Sequence, residues 1–207
     1  MNIRYFFGTL VGALPAAAVF CLSLVSSGHA QAPPPPPPPS AAVVLSADPA
    51  ASSINYHMVH KFHRFDASSK KLEGKVKILP SGVAQVAMRA PVESFDSGNS
   101  NRDAHMKEVT EAARYPHVEF KGLCDSCALP ATFPATVDKT IKAEISFHGV
   151  KKNLDVPVKL TYESASRVRA VAHLALSLDE FKIERPSLLF AKVDDELKLD
   201  VDIVLKQ

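Results

Sequence analysis

The feature that most constrains what this chain can fold into is an alternation near its C-terminal end. Leu197, Leu199, Val201, Ile203 and Leu205 interleave with Lys198, Asp200, Asp202 and Lys206. Successive side chains of an extended strand point to opposite faces, so this pattern describes a strand with one face in a core and the other in water. The same period recurs upstream, where Ile141, Ala143, Ile145 and Phe147 alternate with Lys142, Glu144 and Ser146, and where Val156, Val158, Leu160 and Tyr162 repeat it. Residues 54–65, 72–79, 83–92, 117–122 and 167–177 have the same character, which brings the predicted strands to eight. Turn signals such as Pro80-Ser81-Gly82 and Glu163-Ser164-Ala165-Ser166 divide them. One segment breaks the period: Ser100 to Ala113 reads as a helix, with Pro116 just beyond its end.

Eight strands, one short helix and no strand-helix-strand rhythm predict an all-β fold, an eight-stranded antiparallel up-and-down barrel. A two-sheet sandwich is the competing architecture, because the sequence has no Trp and few inter-strand landmarks to separate the two. At this strand number a barrel interior either fills with side chains or holds one small ligand.

The residues ahead of the strands have other characters. Residues 1–30 read as a secretory signal: Arg4 at the basic start, an apolar stretch from Leu10 to Val25, and the small-residue site Gly28-His29-Ala30, so that the mature chain starts at Gln31. The alternative is an uncleaved anchor, since Tyr5–Val25 is long enough to span a bilayer, and Pro15 argues against it. Cys21 does not fit a lipoprotein site, with Phe20 before it and Leu22 after it. Residues 31–47 form a proline-rich linker, and the unbroken run Pro33–Pro39 is a stiff polyproline II spacer of roughly 20 Å at about 3.1 Å per residue. The folded domain is expected over 48–207.

Composition removes some function classes. Lys+Arg exceeds Asp+Glu only by 24 to 22, which leaves no dense basic face for nucleic acid. With 8 Gly, none of them in a dinucleotide or phosphate-loop pattern, a nucleotide enzyme is not indicated.

Cys124 and Cys127 are the two cysteines left after the signal, and in an exported chain an even count favours pairing. A redox-active CxxC draws its low thiol pKa from a helix N-terminus or a cation. Here two prolines follow and no helical period is visible, so a structural clip in a loop, dispensable for ligand binding, is the expectation. Three histidines fall in Tyr56-His57-Met58-Val59-His60-Lys61-Phe62-His63. In a continuous strand His57 and His63 lie about 20 Å apart while His60 points to the other face, so no metal site is expected. Parity places Tyr56, Met58, His60 and Phe62 on the inner, ligand-facing side, with His57, Lys61 and His63 in solvent. Phe147 belongs to the inner face of its own strand. The polar run Asp96 to His105 pairs no base with a nucleophile, so no catalytic residue is assigned and no enzyme activity is expected.

The segments Ser52-Ser53-Ile54, Asn101-Arg102-Asp103-Ala104-His105-Met106, Tyr115-Pro116-His117-Val118-Glu119-Phe120-Lys121, Phe147-His148-Gly149-Val150-Lys151-Lys152 and Arg185-Pro186-Ser187-Leu188-Leu189-Phe190 together resemble the YceI-like, lipid or polyisoprenoid-binding family over about residues 48–206. The resemblance implies a lipocalin-like barrel whose apolar interior holds an isoprenoid chain, in an exported bacterial protein. It also singles out Arg102, His105 and Arg185 as residues near the mouth, where a cation meets an anionic or carbonyl head. Two departures stand out: Lys107–Arg114 is short and lacks an aromatic pair, and the Cys124–Cys127 clip is not a family-wide feature. The expected function is that of a non-catalytic periplasmic binding protein for an apolar lipid, most simply a polyisoprenoid or quinone-like molecule, needing no cofactor. The alternative is a redox- or metal-linked accessory module using the histidines and the CxxC pair.

Overall fold

The computed structural model describes residues 41–60, 63–185, 187–188 and 191–207. The signal, Gln31, the proline run, Lys61 and Phe62 lie outside the described residues. The strands are β1 (Val43–Ala47), β2 (Ser53–His60), β3 (His63–Ser69), β4 (Glu73–Ile78), β5 (Ala84–Pro91), β6 (His117–Cys124), β7 (Ala135–Phe147), β8 (Val150–Ser164), β9 (Arg167–Ser177), β10 (Ser187–Leu188), β11 (Ala191–Lys192) and β12 (Glu196–Lys206), with one helix, α1 (Ser100–Val109), between β5 and β6.

Antiparallel neighbours follow the order β1-β4-β5-β6-β7-β8-β9-β12, and β12 pairs back onto β1, which closes an eight-stranded barrel. β2 and β3 continue β1 and β4 beyond a kink: β2 runs on along β12, and β3 pairs with β2. The small β10–β11 hairpin stands apart in the connection from β9 to β12. The barrel architecture is the one the alternation predicts, and a sandwich is excluded by the closing β1–β12 pairs.

Two boundaries differ from the sequence reading. The sheet starts at Val43, ahead of Asp48, because Asp48-Pro49 forms a short 3-10 turn inside the first strand rather than its beginning. Leu45 in β1 is 1% exposed and belongs to the core. The single strand read over 54–65 is two strands, since His60 pairs across with His63. His60 and His63 are therefore directly paired and share a face, so His63, though exposed, sits on the inner-facing side of β3 with Phe65 and Ala67 and not on the outer side that one continuous strand would give it. The helix starts at Ser100 as read but ends at Val109, short of Ala113; Asn99 caps it, its Oδ1 accepting from the N–H groups of Asn101 and Arg102 at 3.1 Å each.

Up-and-down connectivity sends alternate connections to opposite ends. One end carries the β2–β3 reversal, the β5–β6 connection with α1, the β7–β8 turn and the long β9–β12 connection. The other carries the β4–β5, β6–β7 and β8–β9 connections. At the first end the turn His148-Gly149 has φ +49° and +72°, the left-handed pair that a tight hairpin needs. A Cβ on Gly149 would also lie 2.6 Å from the Tyr115 ring, so only glycine fits. His148 Nδ1 donates to the Phe181 carbonyl at 3.0 Å, and Tyr115 meets the imidazole edge-on at 5.1 Å. His148 Nε2 lies 3.5 Å from Glu111 Oε1 without hydrogen-bond geometry. The histidine thus ties the hairpin to the β9–β12 connection.

On β6, Gly122 keeps room inside the wall: a Cβ there would meet Ile141 Cγ2 at 2.5 Å. Gly122→Ala is expected to cost about 1–3 kcal/mol through overpacking. A denaturation midpoint equal to that of the parent would contradict this.

Candidate functional site

The inner faces of the barrel strands enclose a cavity of about 700 Å³, within the range of about 300–1,000 Å³ usual for small-molecule sites. The walls follow directly from the alternation: Leu197, Leu199, Val201, Ile203 and Leu205 on β12, Val156, Val158, Leu160 and Tyr162 on β8, and Ile141, Ile145 and Phe147 on β7 all line it. Polar side chains gather at the α1 end, where His60, Asn99, Asn101, Arg102, His105 and Glu184 reach the lining. The site is an apolar well with a polar mouth.

Of the residues singled out from the sequence, Tyr56, Met58, His60, Arg102, His105 and Phe147 lie on the cavity wall. Tyr56 and His60 are buried, as strand parity requires. Burial pushes the Tyr56 phenol up to about 12. The hydroxyl therefore stays protonated at neutral pH and can donate a hydrogen bond into the well. His60 stacks on Phe65 with ring centroids 6.3 Å apart, and the Arg102 guanidinium covers the same Phe65 ring at 4.9 Å. His105 is more exposed and lies 3.4 Å from Glu108.

Arg185 does not line the cavity. Its Nε donates to Asp179 Oδ1 at 2.8 Å and its Nη1 to the Val193 carbonyl at 3.2 Å. It stitches the β9–β12 connection together, because that connection folds back on itself and offers both acceptors. Phe62 lies outside the described residues.

Sequence reasoning missed the inner face of α1. Arg102, His105, Met106 and Val109 all line the cavity. Their offsets of three, four and seven residues are those of one helical face, a signal present in the sequence. Asp103, on the same helix, accepts from the Ser97 N–H at 3.1 Å and its hydroxyl at 2.6 Å, which fixes the loop ahead of the helix.

His57 on β2 and His173 on β9 are occupied outside the barrel. His57 Nδ1 lies 2.5 Å from Asp66 Oδ1 and its Nε2 lies 2.8 Å from Asp200 Oδ2, while His173 Nδ1 meets Asp200 Oδ1 at 2.6 Å. Arg64 Nε donates to Asp66 at 2.7 Å. Among the described residues no group of three His, Cys, Asp or Glu could hold a metal ion.

This outer network has a pH consequence. Hydrogen bonds from His57 and Arg64 hold the Asp66 carboxyl below its ordinary value of 3.8, and those from His173 and His57 do the same for Asp200. A carboxyl whose pKa is lower in the folded than in the unfolded chain stabilises the fold above the unfolded value, and that stabilisation is lost as pH falls through the folded value. Urea midpoints are expected to fall below about pH 4, and Asp200→Asn is expected to flatten that acid limb. An equally steep limb in the variant would contradict the assignment.

Cys124 and Cys127 are joined as a disulfide with Cα atoms 5.7 Å apart. The pairing is the one the cysteine count favours, but its place is not an outlying loop: both residues line the cavity at the end opposite α1.

Fold and site together define a closed antiparallel β-barrel that surrounds an apolar cavity. A family model described as a YceI-like domain matches residues 45–205, and the chain belongs to that family. Among solved structures it is similar to a polyisoprenoid-binding domain from Saccharophagus degradans implicated in plant cell wall breakdown, with TM-score 0.66 and 19% identity over 78% of this chain and 97% of that one. BcnA of Burkholderia cenocepacia gives TM-score 0.63 and 19% identity over 76% of this chain and 98% of that one. A YceI protein of Campylobacter jejuni gives TM-score 0.52 and 13% identity, with coverage of 67% and 82%. No curated protein matches the chain in sequence.

Proposed function

We propose that this protein is an exported, non-catalytic binding protein that takes up the tail of an apolar lipid, a polyisoprenoid or quinone-like molecule, into the barrel and leaves its head at the α1 end. The observation that carries this reading is the cavity itself. Its walls are built from the inward-facing half of nearly every strand, and apart from the Tyr162 phenol its polar side chains gather at the α1 end. At about 25 cal/mol per Å² of apolar surface removed from water, an enclosed hydrocarbon tail supplies most of the affinity. The donors Tyr56 and Arg102 then orient a carbonyl or anionic head without having to provide much binding energy. The polyisoprenoid-binding character of the Saccharophagus degradans domain supports the choice of tail. The redox alternative has weaker support: the two cysteines are 2% and 3% exposed, and a partner thiol has no open approach to them.

Mass spectrometry of an organic extract of the purified native protein tests the reading. A co-purified isoprenoid or quinone is the expected result. An extract without lipid, from a protein that also fails to bind added prenols, would overturn it.

Export is a second part of the proposal, supported by the basic start, apolar stretch and Gly28-His29-Ala30 site. The mature protein in the periplasm is expected to begin at Gln31. Intact-mass analysis showing a periplasmic product that retains Met1–Ala30 would contradict this.

A further inference from the structure

The end of the barrel away from α1 is closed by a short segment that is amphipathic in an unusual way. Cys124 ends β6 on its inner face, and Cys127 sits in the connection that follows; they are 2% and 3% exposed. The two residues between them, Asp125 and Ser126, are exposed and accept from Lys142 Nζ and Lys139 Nζ, each at 3.3 Å. Connections ordinarily run over the surface. This one instead turns two sulfur atoms into the well and two polar side chains out to the neighbouring strand. The Cys127 N–H donates to the Gly82 carbonyl at 2.8 Å, which draws the β6–β7 connection across onto the β4–β5 turn. A Cβ on Gly82 would stand 3.2 Å from Ala128 Cβ, so the two connections are in close contact. The disulfide packs in one apolar cluster with Leu45, Ile78, Ala84 and Tyr162, and disulfide sulfur is an apolar surface suited to a hydrocarbon end.

We propose that the Cys124–Cys127 disulfide is the floor of the cavity and sets the longest apolar tail that the barrel admits. The proposal rests on the reading that the cavity takes such a tail. A tail enters past α1 and runs down the well until its end meets the sulfurs. A longer one leaves its surplus in water at the mouth and pulls its head away from Tyr56 and Arg102. The clip is thus a specificity-determining element as well as a stabilising one, which differs from the expectation that binding would not depend on it.

The test is a titration of the full mature protein with linear prenols of increasing length, from geraniol upward, followed by native mass spectrometry or tryptophan-free fluorescence displacement. In the parent, each isoprene unit buried should strengthen binding by at least about tenfold until the cut-off, beyond which affinity stops rising. Cys124→Ala with Cys127→Ala removes both sulfurs and the covalent tie, and the cut-off should move to longer prenols. Ala84 stands directly opposite Cys124 in the β5–β6 register and is 3% exposed. Ala84→Leu, with the disulfide intact, should raise the floor and move the cut-off to shorter prenols. If the double variant does not fold, the Ala84→Leu result decides alone. An unchanged cut-off in the folded variants overturns the floor assignment and leaves the lipid reading standing. Failure of the parent to bind any prenol overturns both.

Discussion

Val158→Asp will abolish uptake of a fluorescent prenol analogue by this protein and lower its melting temperature, whereas Gln85→Asp will do neither. Val158 is 5% exposed in the middle of β8, with its side chain on the cavity wall. A carboxyl group placed there leaves water for an apolar surround. Such burial raises a carboxyl pKa by up to about 3–5 units, roughly 4–7 kcal/mol against the ionised form at neutral pH. The tail and the charge cannot share the well. Gln85 is exposed on the outer face of β5, beside its cross-strand partner Lys77, so the same carboxylate there stays solvated. Because the penalty acts on the ionised form, binding by Val158→Asp should recover in part as pH is lowered toward 5. Binding of the analogue by Val158→Asp with the parent's affinity at pH 8 would contradict an interior site.

The second large effect concerns the cover of the well. Phe181 is 1% exposed in the β9–β12 connection and packs on Phe147 with ring centroids 5.7 Å apart. Its carbonyl accepts from His148, so one residue joins the connection to the β7–β8 turn and to the cavity wall. Phe181→Ala should cost about 3–5 kcal/mol, or about 6–20 °C in Tm for a domain of this size. The loss is expected to fall on the α1 end, with raised hydrogen exchange over the β7–β8 turn and the β9–β12 connection before the rest of the barrel. A Tm within about 2 °C of the parent's would show that the connection is not held by this contact.

The barrel was legible because its strands carry a pattern that is local. In Leu197–Lys206 every second residue is apolar, and the structure turns those residues onto the cavity without exception. The features that were not legible depend on where the chain reverses. Ile54 to Phe65 reads as one strand because no Gly, Asn or Asp marks the turn between His60 and His63, so only the pairing of the two strands reveals it. Val43–Ala47 does not read as part of the domain, because Asp48-Pro49 looks like the start of a domain rather than a kink inside a strand. Family resemblance alone points Arg185 to the mouth, and no residue pattern near it announces Asp179 and the Val193 carbonyl as its partners. The inward turn of Cys127 depends on a hydrogen bond to Gly82, forty-five positions earlier in the chain, a distance over which periodicity carries no information. The inner face of α1 is the exception: Arg102, Met106 and Val109 stand at helical spacing and could have been read.

The central claim is that an apolar tail lies inside the barrel, and photo-crosslinking tests it most directly. A prenol bearing a terminal diazirine, bound to the mature protein, irradiated and mapped by peptide mass spectrometry, should label inward-facing residues at the closed end, such as Ile78, Ala84, Tyr162 and Val168, which cluster with the disulfide. Labelling confined to outer-face positions, such as Leu123, Lys142 and Asn153 on β6, β7 and β8, would contradict the account and place the tail on the surface of the sheet.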